Sequence, residues 1–323
     1  MQAIRVEQPG AADVLRLQEV DDPQPTPGQI RVRVAAAGLN FIDIYHRTGR
    51  YPVDLPTGIG QEGAGVVDAL GDGVTSLAVG DRVAWTGQLG SYAELFCLSA
   101  DRAVPVPEEV DLEVAAAIML QGMTAHYLVN STFPLVTGQT ALIHAGAGGV
   151  GQLLIQLAKH AGASVLATVS TEEKEGLARQ AGADHVIRYT ETDFARAVAD
   201  VAPGGVDVVY ESVGKDTFDR SLSCLRPRGY LVLYGQSSGA VAPLDPQRLA
   251  SGGSLFLTRP TLGHYIATRE ELLARAGALF ELTTQGRLDV RIDRRFPLAD
   301  AAAAHRYMEQ RKTRGKVLLV PSG

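Results

Sequence analysis

Apolar positions recur along this chain with two different periods. Up to about residue 121 they come in short, strand-like runs. Ile30–Ala36 alternates apolar and charged side chains, the pattern of a half-buried strand. Gly60–Val67, Gly80–Ala84 and Leu95–Leu98 repeat the theme, punctuated by glycine and aspartate, and Pro23, Pro25, Pro27 and Gly28 make a turn-rich approach to the first of them. This density of short strands predicts a partly open β-barrel. Asp111 stands where an N-cap would start a helix at Leu112.

From about Gly122 to Pro260 the pattern changes to alternating strands and helices. Strands are predicted at Thr140–His144, Ser164–Val169, His185–Arg188, Val206–Glu211, Tyr230–Tyr234 and Ser254–Leu257. Helices fit between them at Val150–Ala161, Glu172–Ala181, Asp193–Val201 and Thr217–Leu225. Gly162 and Gly182 fall where C′ glycines would end the first two helices. Six strands with crossover helices predict a doubly wound, parallel α/β sheet. The remaining stretch carries a long helix (Arg269–Thr284), a strand after Gly286, a further helix and a last strand at Val317–Val320. Some 60 residues make a marginal independent domain, so they are expected to fold back onto the first lobe. The expected organisation is therefore 1–121, a nucleotide-binding insertion at 122–260, and a return segment at 261–323, with the active site in the cleft beside the insertion.

At Thr140 the reading becomes chemical. The run T-A-L-I-H-A-G-A-G-G-V-G passes from a buried strand into Gly146, Gly148 and Gly151, then into a helix with Val150, Leu153, Leu154, Leu157 and Ala158 on one face. In a chain with 35 glycines the triplet alone says little, but strand and helix flanks make it a dinucleotide fingerprint. Ala145 to Gly151, with Gly149 and Val150 inside, then place helix N–H groups toward a pyrophosphate. NAD-selective sheets carry an acid about 20 residues further on, at the end of the second strand. Ser170 and Thr171 stand there instead, Lys174 lies one turn later, and Arg188-Tyr189 closes the next strand. Hydroxyls and a cation suit a ribose 2′-phosphate, so the expected cofactor is NADPH. Glu172 and Glu173 fit the positive end of a helix dipole, and Lys174 also has a plain reading as a solvated helix lysine.

Composition narrows the class. With 46% hydrophobic and 20% charged residues the chain is an ordinary globular one. A net charge of −6 argues against a phosphate-backbone binder, so no nucleic acid partner is expected. Neither a membrane span nor a leader is predicted. Cys97 and Cys224 are far apart without a CxxC, which suits a reducing cytoplasm and a packing role for both. His144, at the end of its strand, reads as a core or turn residue.

The chain resembles the medium-chain dehydrogenase/reductase superfamily, and within it the zinc-independent quinone oxidoreductases. The residues that carry the resemblance are A-G-L-N-F-I-D-I-Y-H-R-T-G-R-Y-P (37–52), G-Q-E-G-A-G-V-V (60–67), V-G-D-R-V-A (79–84), Q-G-M-T-A-H-Y-L (121–128), H-A-G-A-G-G-V-G (144–151), Y-E-S-V-G (210–214) and S-L-F-L-T-R-P-T-L (254–262). The resemblance implies a GroES-like β-rich catalytic domain plus a Rossmann domain, a homodimer joined through Rossmann sheet edges, and NADPH-dependent reduction of quinones or related α,β-unsaturated carbonyls. Zinc-dependent members place Cys at the position of Asn40 and His at that of Gln61. Neutral amides are poor zinc ligands, so no metal is expected.

The resemblance also carries Asn40, Tyr45 and Tyr51 onto the cleft wall as hydrogen-bond donors to a carbonyl oxygen. Asn40 has a second reading, pinning its loop, and Tyr51 before Pro52 a second reading as packing. Asp43 and Arg47 read as a loop-fixing ion pair. Thr124 matches the nicotinamide-ribose contact. Ser212 and Val213 of Y-E-S-V-G, with Tyr234, Gln236, Phe256 and Arg311, match positions around the cofactor. Gln121 stands where the family often has lysine. Two other readings stay open: an NADPH-dependent enal or enone double-bond reductase, and an NADPH-binding, crystallin-like structural protein.

Overall fold

In the computed structural model, which describes residues 1–321, the chain divides into two compact units, Met1–Met123 with Ile266–Gly323, and Thr124–Tyr265. The first unit opens with β1 (Gln2–Val6), β2 (Arg16–Glu19), β3 (Gln29–Leu39), α1 (Phe41–Arg47), β4 (Thr57–Gly58), β5 (Glu62–Leu70), β6 (Arg82–Thr86), β7 (Leu95–Ser99), β8 (Val104–Pro105) and α2 (Leu112–Tyr127). Asp111 Oδ1 accepts the Glu113 N–H at 2.8 Å, so α2 starts at the cap the sequence predicts. By length and composition the stretch Leu112–Thr132 could cross a membrane, a run the sequence reading did not register. Its most apolar window is 72% buried inside the fold, which is how a core helix reads.

The second unit runs β9 (Thr140–Ile143), α3 (Gly149–His160), β10 (Ser164–Val169), α4 (Glu172–Gln180), β11 (His185–Arg188), α5 (Phe194–Val201), β12 (Val206–Glu211), α6 (Phe218–Ser223), β13 (Leu225–Leu233), α7 (Gln247–Ser251) and β14 (Phe256–Thr258). Its six strands pair in parallel in the order β11-β10-β9-β12-β13-β14. This is the doubly wound order that turns back at β9, where open α/β sheets bind ligands. Gly162 and Gly182 adopt φ +79° and +106° after α3 and α4, the left-handed C′ conformation that favours glycine. Strand β13 starts five residues before the predicted Tyr230, because Arg226–Gly229 is too polar and proline-broken to read as strand. The short helix α7 was not predicted at all.

The chain then returns to the first unit as α8 (Arg269–Thr284), β15 (Ile292–Pro297), α9 (Ala301–Glu309) and β16 (Lys316–Val320). Strand β16 lies antiparallel to β3, pairing Val317 with Leu39, within the order β15-β16-β3-β5-β6-β8; β7 also pairs with β3. Alternate residues Ile30, Val32 and Val34 turn inward onto a core that includes Trp85, Leu98, Val317 and Leu319. Burying the side chains of such a core contributes about 1.5–3 kcal/mol per large residue before entropy is counted.

Candidate active site

In the second unit the glycine turn leaves the strand end as predicted. Ala145 sits at φ +53°, and Gly148 caps α3 without any side-chain hydrogen bond. The turn is tight because its glycines lack side chains. A Cβ on Gly151 would overlap the Ala145 carbonyl oxygen and stand 2.9 Å from Gly146 Cα, while one on Gly146 would come within 2.8 Å of Ala167 Cβ. Helix α3 therefore packs directly on its own approach turn and presents first-turn N–H groups without a capping side chain.

Four further stretches lie at the C-terminal ends of neighbouring strands. After β10, the Thr171 hydroxyl accepts the Lys174 N–H at 3.3 Å, and the Ser170 carbonyl accepts the Thr190 hydroxyl at 2.9 Å. Glu172 and Glu173 occupy the first turn of α4, as the dipole reading expects. Arg188 at the end of β11 is committed to Glu175 (3.1 Å) and Glu191 (2.8 Å), and the neighbouring Tyr189 is 40% exposed. After β12 the Val213 N–H is held by Glu211 (2.7 Å) and the Ser212 carbonyl accepts the Ser237 N–H (3.1 Å). After β13 the Tyr234 N–H reaches the Glu211 carbonyl at 2.9 Å; burial raises the Tyr234 phenol, opposed in part by a hydrogen bond to Ser212. Gln236 follows on the same turn, its carbonyl accepting the Gly239 N–H. Thr124 is buried at the start of this unit.

Phe256 lies at the other end of its strand, and Arg311 belongs to the first unit. Phe256 opens the edge strand β14, pairs in register with Tyr230 and stacks on its ring at 4.4 Å. Arg311 follows α9 in the first unit, at φ +57°.

In the first unit the motif residues of 37–52 form α1 and the turn after it. Asp43 Oδ2 accepts the Asn40 N–H at 2.9 Å and so caps α1. One turn on, Tyr45 packs edge-on against Tyr51 at 5.2 Å, joined by the Tyr51 N–H to the Tyr45 carbonyl (3.1 Å). The Arg50 guanidinium lies 5.0 Å above the Tyr45 ring, a cation–π contact that holds the ring in place. His46 faces Tyr51 and lies 3.2 Å from Gln61 Nε2; burial lowers its pKa. Its only sequence signal was its place inside the motif.

Asn40 is 3% exposed and fully engaged. Its amide donates to Glu62 Oε2 (2.7 Å) and the Gly38 carbonyl (3.2 Å), and its oxygen accepts from Lys316 Nζ (3.0 Å) and Gln121 Nε2 (3.1 Å). Lys316 also pairs with Glu62, and the carboxylate takes the Leu120 N–H of α2 as a further donor at 2.6 Å. Burial pulls the Lys316 ammonium below its ordinary pKa and Glu62 opposes that shift. Neither residue of this buried pair was legible from the sequence, since 254 positions separate them.

The expected Asp43–Arg47 pair does not form. Arg47 instead meets Glu309 and His305 (3.1 Å), whereas Asp43 accepts the Tyr92 hydroxyl at 2.8 Å. The two side chains share a face of α1, but each is claimed there by an element far away in sequence, Asp43 by Tyr92 and Arg47 by His305 and Glu309. Among the described residues, no three His, Cys, Asp or Glu side chains converge as a metal would require.

A glycine-cradled parallel sheet joined to a β-rich unit with paired tyrosines defines a nucleotide-dependent oxidoreductase of the medium-chain dehydrogenase/reductase class. Residues 26–108 match the alcohol dehydrogenase GroES-like domain, and residues 181–319 match the family described as zinc-binding dehydrogenase. The chain is 47% identical to a quinone oxidoreductase of Pseudomonas aeruginosa over 97% of both chains. It is 44% identical to a 2-haloacrylate reductase of a Burkholderia species, over 97% of this chain and 96% of that one. The crystal structure of Escherichia coli quinone oxidoreductase complexed with NADPH superposes with a TM-score of 0.97 at 41% identity, covering 99% of this chain and all of that one. The chain belongs to the quinone oxidoreductase family of that superfamily.

Proposed function

We propose that this chain is an NADPH:quinone oxidoreductase that works without a metal. The observation that carries the reading is the uncapped, glycine-rich turn from β9 into α3. It leaves room and unpartnered polarity for a pyrophosphate, and no carboxylate ends β10 to repel a 2′-phosphate. The residues present fit the cofactor: Ala145, Gly146, Gly148, Gly149, Val150 and Gly151 hold the pyrophosphate, while Ser170, Thr171, Lys174 and Tyr189 take the ribose 2′-phosphate. Thr124, Ser212, Val213, Tyr234 and Gln236 belong to its nicotinamide half in this proposal, with Phe256 and Arg311 retained from the family resemblance. When bound, NADPH supplies a hydride to the acceptor.

The protein's own part is to place the acceptor and stabilise the oxygen that gains charge. Tyr45 and Tyr51 are the hydroxyl donors in this scheme, held together by their edge-on contact and by Arg50. Asn40, whose two amide N–H bonds are already used, contributes by fixing the loop that starts α1. A homodimer formed through β14, whose Phe256 and Leu257 are 48% and 36% exposed, completes the proposal, as does a cytoplasmic setting. Nucleic acid and membranes have no part in it. A monomer by light scattering would remove the dimer.

A second reading, reduction of an activated C=C bond, draws on the haloacrylate reductase relative and on Arg50, a cation beside the donor pair. NADPH oxidation followed with a benzoquinone, a 2-alkenal and a 2-haloacrylate, each beside NADH, tests both. Quinone turnover with NADPH, cut at least tenfold in kcat by Tyr45→Phe, is the expected result. Turnover on the alkene acceptors alone supports the second reading, and inactivity on all three supports a binding protein.

A further inference from the structure

On both edges of β9 the sheet ladder stops one residue before the turns that follow it. The ladder between β10 and β9 ends at Ala167 with Ile143, and that between β12 and β9 ends at Tyr210 with Ile143. The next residues, Thr168, His144 and Glu211, are where the chain begins to leave toward the nucleotide-holding turns. Between the extension of β9 and its two neighbours the backbone bonds are His144 N–H to the Tyr210 carbonyl (3.2 Å) and Gly146 N–H to the Thr168 carbonyl (3.0 Å).

A chain of buried side chains continues the tie. Glu211 Oε1 accepts the Val213 and Gly214 N–H groups at 2.7 and 3.0 Å, and its Oε2 accepts the Ser221 hydroxyl at 2.7 Å. Ser221 Oγ lies 2.9 Å from His144 Nε2, and His144 Nδ1 lies 2.9 Å from the Thr168 hydroxyl. All four residues are at most 1% exposed, so water does not complete any missing bond. The direction of every proton follows from the carboxylate. Two backbone N–H groups and one hydroxyl already donate to Glu211, so Ser221 is a donor to it and an acceptor from His144 Nε2–H. The neutral imidazole then accepts on Nδ1 from the Thr168 O–H. Burial lowers the His144 pKa, with Glu211 opposing, which agrees with a neutral ring.

We infer that the relay Thr168–His144–Ser221–Glu211 is a positioning device that sets three turns in register for NADPH: Ser170–Thr171, Ala145–Gly151 and Ser212–Val213. The inference rests on the nucleotide reading above. The relay touches no reacting atom, so it governs affinity for the nucleotide rather than the rate of the chemical step. Its polarity is as important as its presence, because reversing one link forces every other link to reverse.

Two kinds of variant test this in the full-length protein. Thr168→Val keeps the volume but leaves His144 Nδ1 without a donor, and Ser221→Ala cuts the relay at its centre. Each is expected to raise the Kd for NADPH, read by fluorescence titration, by about tenfold. Turnover at saturating NADPH stays within about twofold, and Thr168→Ser, which keeps the hydroxyl, restores affinity. Glu211→Gln supplies the second readout. Its amide oxygen still faces the Val213 and Gly214 N–H groups, so its NH2 must donate to Ser221. The serine then donates to His144, which must carry its proton on Nδ1. Nitrogen-15 NMR of the imidazole, assigned by loss of the signal in His144→Gln, is expected to show Nε2–H in the wild type and Nδ1–H in Glu211→Gln.

A wild-type protein that binds NADPH while Thr168→Val and Ser221→Ala bind it equally well overturns the inference alone. An unchanged tautomer in Glu211→Gln does the same. A wild-type protein that ignores NADPH overturns the nucleotide reading and the relay with it.

Discussion

Replacing Lys316 by methionine would leave one of the most deeply buried carboxylates in the first unit without its cation. Lys316 and Glu62 are 1% and 0% exposed, and methionine fills most of the aliphatic volume, so the change is close to a pure loss of charge. Two donors to Glu62 remain, the Asn40 amide at 2.7 Å and the Leu120 N–H at 2.6 Å. Two neutral hydrogen bonds do not replace a full positive charge where water cannot enter. Breaking one side of such a pair costs about 3–5 kcal/mol, a large share of the ~5–15 kcal/mol that holds a typical domain together. Asn40 Oδ1 loses a donor as well, leaving it only the Gln121 amide. The expected double variant, Lys316→Met with Glu62→Gln, is less damaged than either single one, because no unpaired charge is left inside. The assay is built into the sequence. Trp85 is the one tryptophan of the chain, is fully buried, and lies in the first unit opposite Gly63, beside Glu62. Urea denaturation followed at its emission therefore reports this unit. A Lys316→Met cost below about 1 kcal/mol, or a double variant equal to the sum of the singles, would refute the reasoning.

Asp43 and His305 both meet the Tyr92 hydroxyl, at 2.8 and 3.4 Å, and should oppose each other as pH falls. Burial raises Asp43 to about 7 against donors that lower it, so the folded state takes up a proton that the unfolded chain does not, and acidification from about 7 to 3.8 stabilises. Burial, with help from Arg47, lowers His305 to about 3, so acidification from 6.5 toward 3 destabilises. Each slope is about 1.4 kcal/mol per pH unit at most, and they cancel between roughly pH 4 and 6.5. His305→Gln should then gain stability on acidification in that window and Asp43→Asn lose it; flat urea midpoints in both variants would sink the account. Gly151→Ala should abolish NADPH binding because its Cβ would meet backbone at Ala145 and Gly146, whereas Gly176→Ala, with open space around it in α4, should stabilise by about 0.5–1 kcal/mol. Fluorescence titration and urea denaturation read the two outcomes, and a Gly151→Ala protein that still binds NADPH would contradict the packing argument.

Much of this protein was decided locally and could be read locally. Strands β10, β11 and β12 and helix α8 begin and end where apolar period, caps and glycines say they should, because each signal acts within a few residues of the backbone it controls. The glycine turn was legible for the same reason: its chemistry is the absence of side chains at four of seven consecutive positions, Gly146, Gly148, Gly149 and Gly151. Partnerships between distant segments were not. Asp43 and Arg47 are neighbours in sequence and plausible as a pair, yet Tyr92 and Glu309 claim them. Asn40 read equally as a donor to a carbonyl or as a loop pin, and Glu62, Gln121 and Lys316 surround it. Only the tertiary structure assembles such sets, because the energy of a buried charge depends on every group that replaces water around it, and those groups come from β5, α2 and β16, which meet only after the chain has folded.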